Sequence, residues 1–127
     1  MGLLDFLGKG SSEGLSVDET LMALSKGAVL VDVRTKIEYE AGHAPGARPV
    51  EIRALLSDPI EAIHGDDPLA ERDAAVVVMC DNGLRSRLAA KQLREQGILA
   101  ESVAGGLRAW IKEGNPSIPG PYRGRRW

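Results

Sequence analysis

The chain holds one cysteine in 127 residues, Cys80, and it directly follows the apolar run Ala75, Val76, Val77, Val78 and Met79. A cysteine acts as a nucleophile through its thiolate, and a free thiol ionises only at about pH 8.5, so reactivity needs a device that lowers this value. The residues that follow, Asp81, Asn82, Gly83, Leu84, Arg85 and Ser86, offer two such devices. Asn82-Gly83 allows successive backbone N–H groups to curl around the sulfur, because glycine tolerates positive φ. Residues 84–96 are rich in good helix formers, so the free N–H groups and positive end of a helix would face the same sulfur. Arg85 and Arg87 fall in the first turn of that helix, where the dipole disfavours a cation by about 0.3–1 kcal/mol. They make sense if an anion is held there, either the thiolate or a substrate oxyanion, and Arg85 carries the forked donors that oxyanions accept. The plain alternative is a buried, inert cysteine beside two surface arginines. The order of strand, Cys, loop and Arg points instead to a reactive thiol. Asp81 opposes this, since a carboxylate next to sulfur disfavours the thiolate and repels anionic donors; it is expected to point to solvent.

A buried strand must carry that loop. An unalternating, mostly β-branched run reads as a strand covered on both faces inside a parallel sheet. Cys80 then lies where a central strand ends and a helix begins, the place where open α/β sheets bind ligands. Upstream, Ser16 and Glu19 have capping-box spacing and predict a helix over Val17–Ser25. Residues 28–33 form a second buried strand ending in Asp32-Val33-Arg34, whose charges read as a structural pair. Residues 35–41 form a short helix capped by Thr35, with Ile37 and Tyr39 as buried positions, and residues 50–56 are helix-like. The acidic stretch 58–73 reads as a solvated loop with a helical turn. Beyond Gly97, a last strand is predicted over 102–104 and a helix over 107–113, with Trp110 as a core anchor. Strands alternating with helices give an α/β fold, a parallel sheet with right-handed crossovers.

The remaining features restrict the function more than they define it. One domain is expected over 15–114, preceded by a flexible segment 1–14 and followed by a Pro/Gly/Arg-rich tail 115–127 read as a disordered end. Leu3, Leu4, Phe6 and Leu7 give the first segment a docking alternative. The content of hydrophobic residues is 43% and of charged residues 27%, ordinary for a globular chain, and a net charge of −2 gives no reason to invoke nucleic acid. A lone cysteine forbids an internal disulfide. No apolar run approaches the roughly 20 residues needed to span a bilayer, and no secretory pattern opens the chain, so a cytoplasmic location is expected. Neither His43 nor His64 has a partner at ligand spacing, so no metal and no cofactor are expected. His43 is expected to bond a backbone carbonyl in its turn, and His64 to be exposed.

Four motifs occur in a fixed order: Asp32-Val33-Arg34; Glu38-Tyr39 followed by Gly42-His43-Ala44-Pro45-Gly46-Ala47; Cys80-Asp81-Asn82-Gly83-Leu84-Arg85-Ser86; and Gly105-Gly106 with Trp110. In these the chain resembles a single-domain rhodanese of the sulfurtransferase family, over about residues 15–114. The resemblance implies about five strands in a mostly parallel sheet flanked by helices, adding a strand near 47–50 and an edge strand near Leu15. It also implies ping-pong chemistry, in which Cys80 takes a sulfane sulfur from a donor such as thiosulfate and passes it from a persulfide to cyanide or a thiol. Carried over, the backbone amides of Asp81, Asn82, Gly83, Leu84 and Arg85 cradle the persulfide, and the Arg85 side chain assists anionic donors. Asp32, Arg34, Glu38 and His43 match framework positions. Asn82 stands where the family commonly has a small residue, and Asp81 is an uncommon neighbour for the nucleophile; both bear on donor preference. Cell-cycle phosphatases and some arsenate reductases share the fold but have one more residue between Cys and Arg. Here four residues, Asp81 to Leu84, separate Cys80 from Arg85, the sulfur-sized loop. Sulfur transfer is therefore favoured over phosphate or arsenate chemistry. The alternative is a non-turnover sulfur carrier or regulatory module that docks a protein partner through its termini.

Overall fold

The structure, a computed structural model, describes residues 13–65 and 67–123. Four strands form the sheet: β1 (Val29–Asp32), β2 (Arg48–Pro49), β3 (Val76–Met79) and β4 (Ala100–Ser102). Their order is β2-β1-β3-β4, and every neighbouring pair is parallel. β3 is buried along its whole length, which is why its sequence shows no alternation. Its residues nevertheless face two layers by turns. Val77 and Met79 join a core with Leu15, Leu30, Tyr39 and Trp110, while Val76, Val78 and Cys80 join another with Leu55, Ile63, Ala89 and Leu93.

Among the described residues six helices flank the sheet: α1 (Val17–Ser25), α2 (Lys36–Ala41), α3 (Ile52–Ser57), α4 (Pro59–His64), α5 (Leu84–Glu95) and α6 (Gly106–Lys112). Local chemistry sets several of their starts. Ser16 and Glu19 form the expected capping box on α1, with reciprocal bonds of 3.0 and 2.8 Å. Thr35 and Glu38 repeat the device on α2. None of these helices is long and apolar enough to cross a membrane.

Several expectations need correction. The fifth strand is reduced to one bridge, Leu15 to Val103, because the Ser16 cap turns the chain into α1 at the next residue. The last strand runs over Ala100–Ser102, not 102–104, since register with β3 pairs Val76 with Ala100 and ends at Ser102. The acidic stretch contains α4, started by the Asp58 cap and by Pro59, whose fixed φ suits a first helical turn. Burial of Ile63 on that helix takes His64 inside with it, at 2% exposure. Ile37 is exposed, because a helix as short as α2 has one buried face and Tyr39 fills it. The tail is docked as far as Tyr122, at odds with a disordered end. Ile118 pairs with His43, the Trp110 indole donates to the Pro116 carbonyl at 2.8 Å, and the Tyr122 N–H donates to Glu40 at 2.9 Å. Each of these partners lies far away in sequence or on another element, so composition gave no sign of them. The apolar residues Leu3 to Leu7 lie outside the described residues.

Two other readings hold. Asp32 and Arg34 form a buried ion pair at 3.0 Å, and His43 Nδ1 lies 2.8 Å from the Tyr39 carbonyl, its ring stacked on that of Tyr39.

Candidate active site

The loop after β3 is shaped by its glycine. Gly83 has φ +97°, the left-handed region, and caps α5 by backbone conformation alone. This turn aims the start of α5 back at Cys80, whose side chain is fully buried. The sulfur accepts the Gly83 N–H at 3.1 Å, the Ser86 N–H at 3.4 Å and the Ser86 hydroxyl at 3.3 Å. Burial pushes the thiol's pKa up. The Ser86 hydroxyl, with the N–H groups of Ser86, Gly83 and Asn82, outweighs burial and holds it below the ordinary thiol value. Desolvation and donors therefore act in opposite directions here, and the donors win.

Ser86 is the residue that sequence reasoning left without a role. The signal was available: it sits three residues after the capping glycine, on the face of α5 that looks back at the sulfur. Its hydroxyl also lies 3.3 Å from the Gly83 carbonyl. A hydroxyl has one proton to give, and a charged sulfur is the stronger acceptor. Ser86→Ala is expected to raise the thiol's pKa, since it removes a donor that favours the anion. Less thiolate is then present at neutral pH. Iodoacetamide alkylation followed against pH should shift to higher pH, with the rate at pH 7 about tenfold lower.

The other loop residues divide the work. Asn82 Oδ1 accepts the Leu84 N–H at 3.1 Å, so that amide is engaged by a side chain in this state of the loop and not by the sulfur. Asp81 turns outward, as expected, and its carboxylate meets Arg108 Nε of α6 at 2.8 Å. That pairing directs the negative charge away from Cys80. Arg85 is half exposed and its guanidinium lies 3.8 Å from Glu38, not on the sulfur. It lines a groove of about 370 Å³ with Val33, Arg34, Thr35, Lys36, Glu51, Ile52 and Tyr122, at the ends of β1 and β2. A cation there faces an anion approaching from the groove.

A second helix start supports the loop from behind. The Leu107 N–H donates to the Cys80 carbonyl at 2.8 Å, and the Arg108 N–H to the Asp81 carbonyl at 3.1 Å. The approach is close enough that a Cβ on Gly106 would collide with the Cys80 carbonyl and lie 2.7 Å from that of Asp81. Gly106 also has φ +59°, which a side chain strains. Gly106→Ala is expected to push the loop off α6. Cys80 alkylation at pH 7 should fall by about 10²-fold, the cost of a misplacement near 1 Å, and the thermal midpoint should drop.

Taken together, the loop can hold an anionic sulfur inside the protein without a metal. Among the described residues no group of three His, Cys, Asp or Glu is placed to bind one.

The model of the rhodanese-like domain matches residues 16–113. The adenylyltransferase and sulfurtransferase UBA4 of Eremothecium gossypii is 34% identical, over 90% of this chain and 29% of its own length. The chain thus spans under a third of that relative. A rhodanese-related protein from Thermoplasma volcanium superposes with a TM-score of 0.66 at 25% identity, covering 82% of this chain and 95% of that one. A protein from Rhodopseudomonas palustris, described as a possible tyrosine phosphatase, superposes at 0.65 with 29% identity over 93% and 95%.

Proposed function

The chain belongs to the rhodanese-like domain family, and on that premise we propose that it is a sulfurtransferase working through a persulfide on Cys80. The observation that carries the reading is the sulfur itself, buried and held by three hydrogen-bond donors. The Cys80 thiolate attacks the outer sulfur of thiosulfate, the S–S bond breaks, and sulfite leaves with the bonding pair. The new persulfide ends in a negatively charged sulfur, which the inward N–H groups of the loop and the Ser86 hydroxyl suit. Cyanide or a thiolate then attacks the terminal sulfur, giving thiocyanate or a new persulfide and restoring the Cys80 thiolate. Arg85, facing the groove, draws in the anionic donor. The four residues between Cys80 and Arg85 support sulfur over phosphate as the group accepted. A thiol kept free for this cycle suits a reducing, cytoplasmic setting.

A second reading, a sulfur carrier to a protein acceptor, draws on the relative whose name joins adenylyltransferase to sulfurtransferase. The experiment is intact mass after incubation with thiosulfate, glutathione persulfide or polysulfide. One added sulfur, removed by cyanide over repeated cycles, is expected. A single loading without turnover on small acceptors favours the carrier, and the absence of an adduct with every donor would sink both.

A further inference from the structure

At the opposite end of β3 from Cys80, His64 is buried, and neither ring nitrogen has a hydrogen-bond partner among the described residues. A neutral imidazole has one donor and one acceptor, and leaving buried polar groups unmatched is costly. The ring lines a cavity of about 300 Å³, at the small end of the range for ligand pockets. Ile60, Val76, Ile98 and Leu99 form its apolar walls, and Arg72 and Asp73 stand at its edge as exposed residues.

Two cations and a carboxylate act on this ring, and a second carboxylate, Asp73, stands at the cavity edge. Burial, then the cations Arg48 and Arg72, keep His64 neutral, while Asp67 acts in the opposite sense. Arg48 reaches over from β2 to the Ile63 carbonyl at 3.1 Å. Arg72 spends one donor on the Gly65 carbonyl at 3.0 Å and keeps others. At the cavity edge Arg72 offers its remaining donors to an anion, with Asp73 beside it, and a purely apolar ligand would leave the imidazole unmatched.

We propose that this cavity is a second ligand site, for a small monocarboxylate with a compact apolar body, its carboxylate shared by the His64 ring N–H and Arg72. Such an anion favours the imidazolium, so binding takes up protons and tightens as pH falls towards the ordinary histidine range.

The test is histidine ring NMR on the full chain. His43 and His64 are its two histidines, so His64→Gln assigns the signals. Benzoate is titrated in, with benzyl alcohol and benzylamine as neutral and cationic counterparts. The His64 signals should move saturably with benzoate, and both counterparts should bind at least about tenfold more weakly. Arg72→Gln, a change at an exposed side chain, should weaken benzoate about tenfold and leave Cys80 alkylation unchanged. Unmoved His64 signals at millimolar benzoate would overturn the site. Equal binding of benzyl alcohol, or an Arg72→Gln variant that binds as before, would overturn the carboxylate.

Discussion

Cys80→Ser is expected to abolish sulfur transfer while leaving the fold in place. A hydroxyl occupies the same position and accepts the same donors from Gly83 and Ser86, so the buried groups around it stay satisfied. What disappears is the chemistry. An alcohol stays protonated at neutral pH and cannot carry a labile sulfur–sulfur bond, so no persulfide forms. The rate of thiocyanate formation should fall to the uncatalysed background, a loss above about 10³-fold. Intact mass should show no sulfur adduct, and the thermal midpoint should move little. A variant that still acquires sulfur would place the reaction elsewhere, because no other cysteine exists in the chain.

The largest expected effect on stability lies beside the site, at Arg34. Its guanidinium bonds both carboxylate oxygens of Asp32, at 3.0 to 3.2 Å, and the Gly42 carbonyl at 2.6 Å. Both side chains are buried, at 5% and 0% exposure. Arg34→Ala strands the Asp32 charge in the core, which costs about 3–5 kcal/mol, a large share of the roughly 5–15 kcal/mol that holds a domain together. Urea denaturation should register this as a lower midpoint with little change in slope. The double variant Asp32→Leu with Arg34→Leu should recover much of the loss, since no buried charge then lacks a partner. A loss below about 1 kcal/mol in the single variant would show that the pair is not held in a low dielectric. The pair also bears on the site: Val33, the residue between its two members, donates its N–H to the Met79 carbonyl at 3.0 Å, immediately before Cys80.

Short-range patterns account for what was legible. Unbroken β-branched runs identified β1 and β3 because a strand covered on both faces has no polar side to reveal. Ser16 with Glu19, and Thr35 as a cap, located helix starts because a cap is a contact across three residues. Asn82-Gly83 and the helix formers after it placed Cys80 at a strand-to-helix turn for the same reason.

Contacts between distant segments were not legible. That Asp81 has a partner 27 residues away in Arg108 depends on how α6 packs. The backing of the cysteine loop by Gly106 and Leu107 depends on the β4 register, which the apolar pattern placed two residues late. The acidic composition around α4 concealed the burial of Ile63 and His64, and the prolines of the tail concealed its pairing with His43. Sequence alone established a lone thiol at the mouth of a parallel sheet, with a glycine turn and a helix start to receive its charge, since those devices span only a few residues. Folding settled which donors reach the sulfur, where the neighbouring carboxylate goes, and that a histidine lies buried without a partner among the described residues. Those outcomes depend on packing between elements far apart in the chain, which local chemistry does not encode.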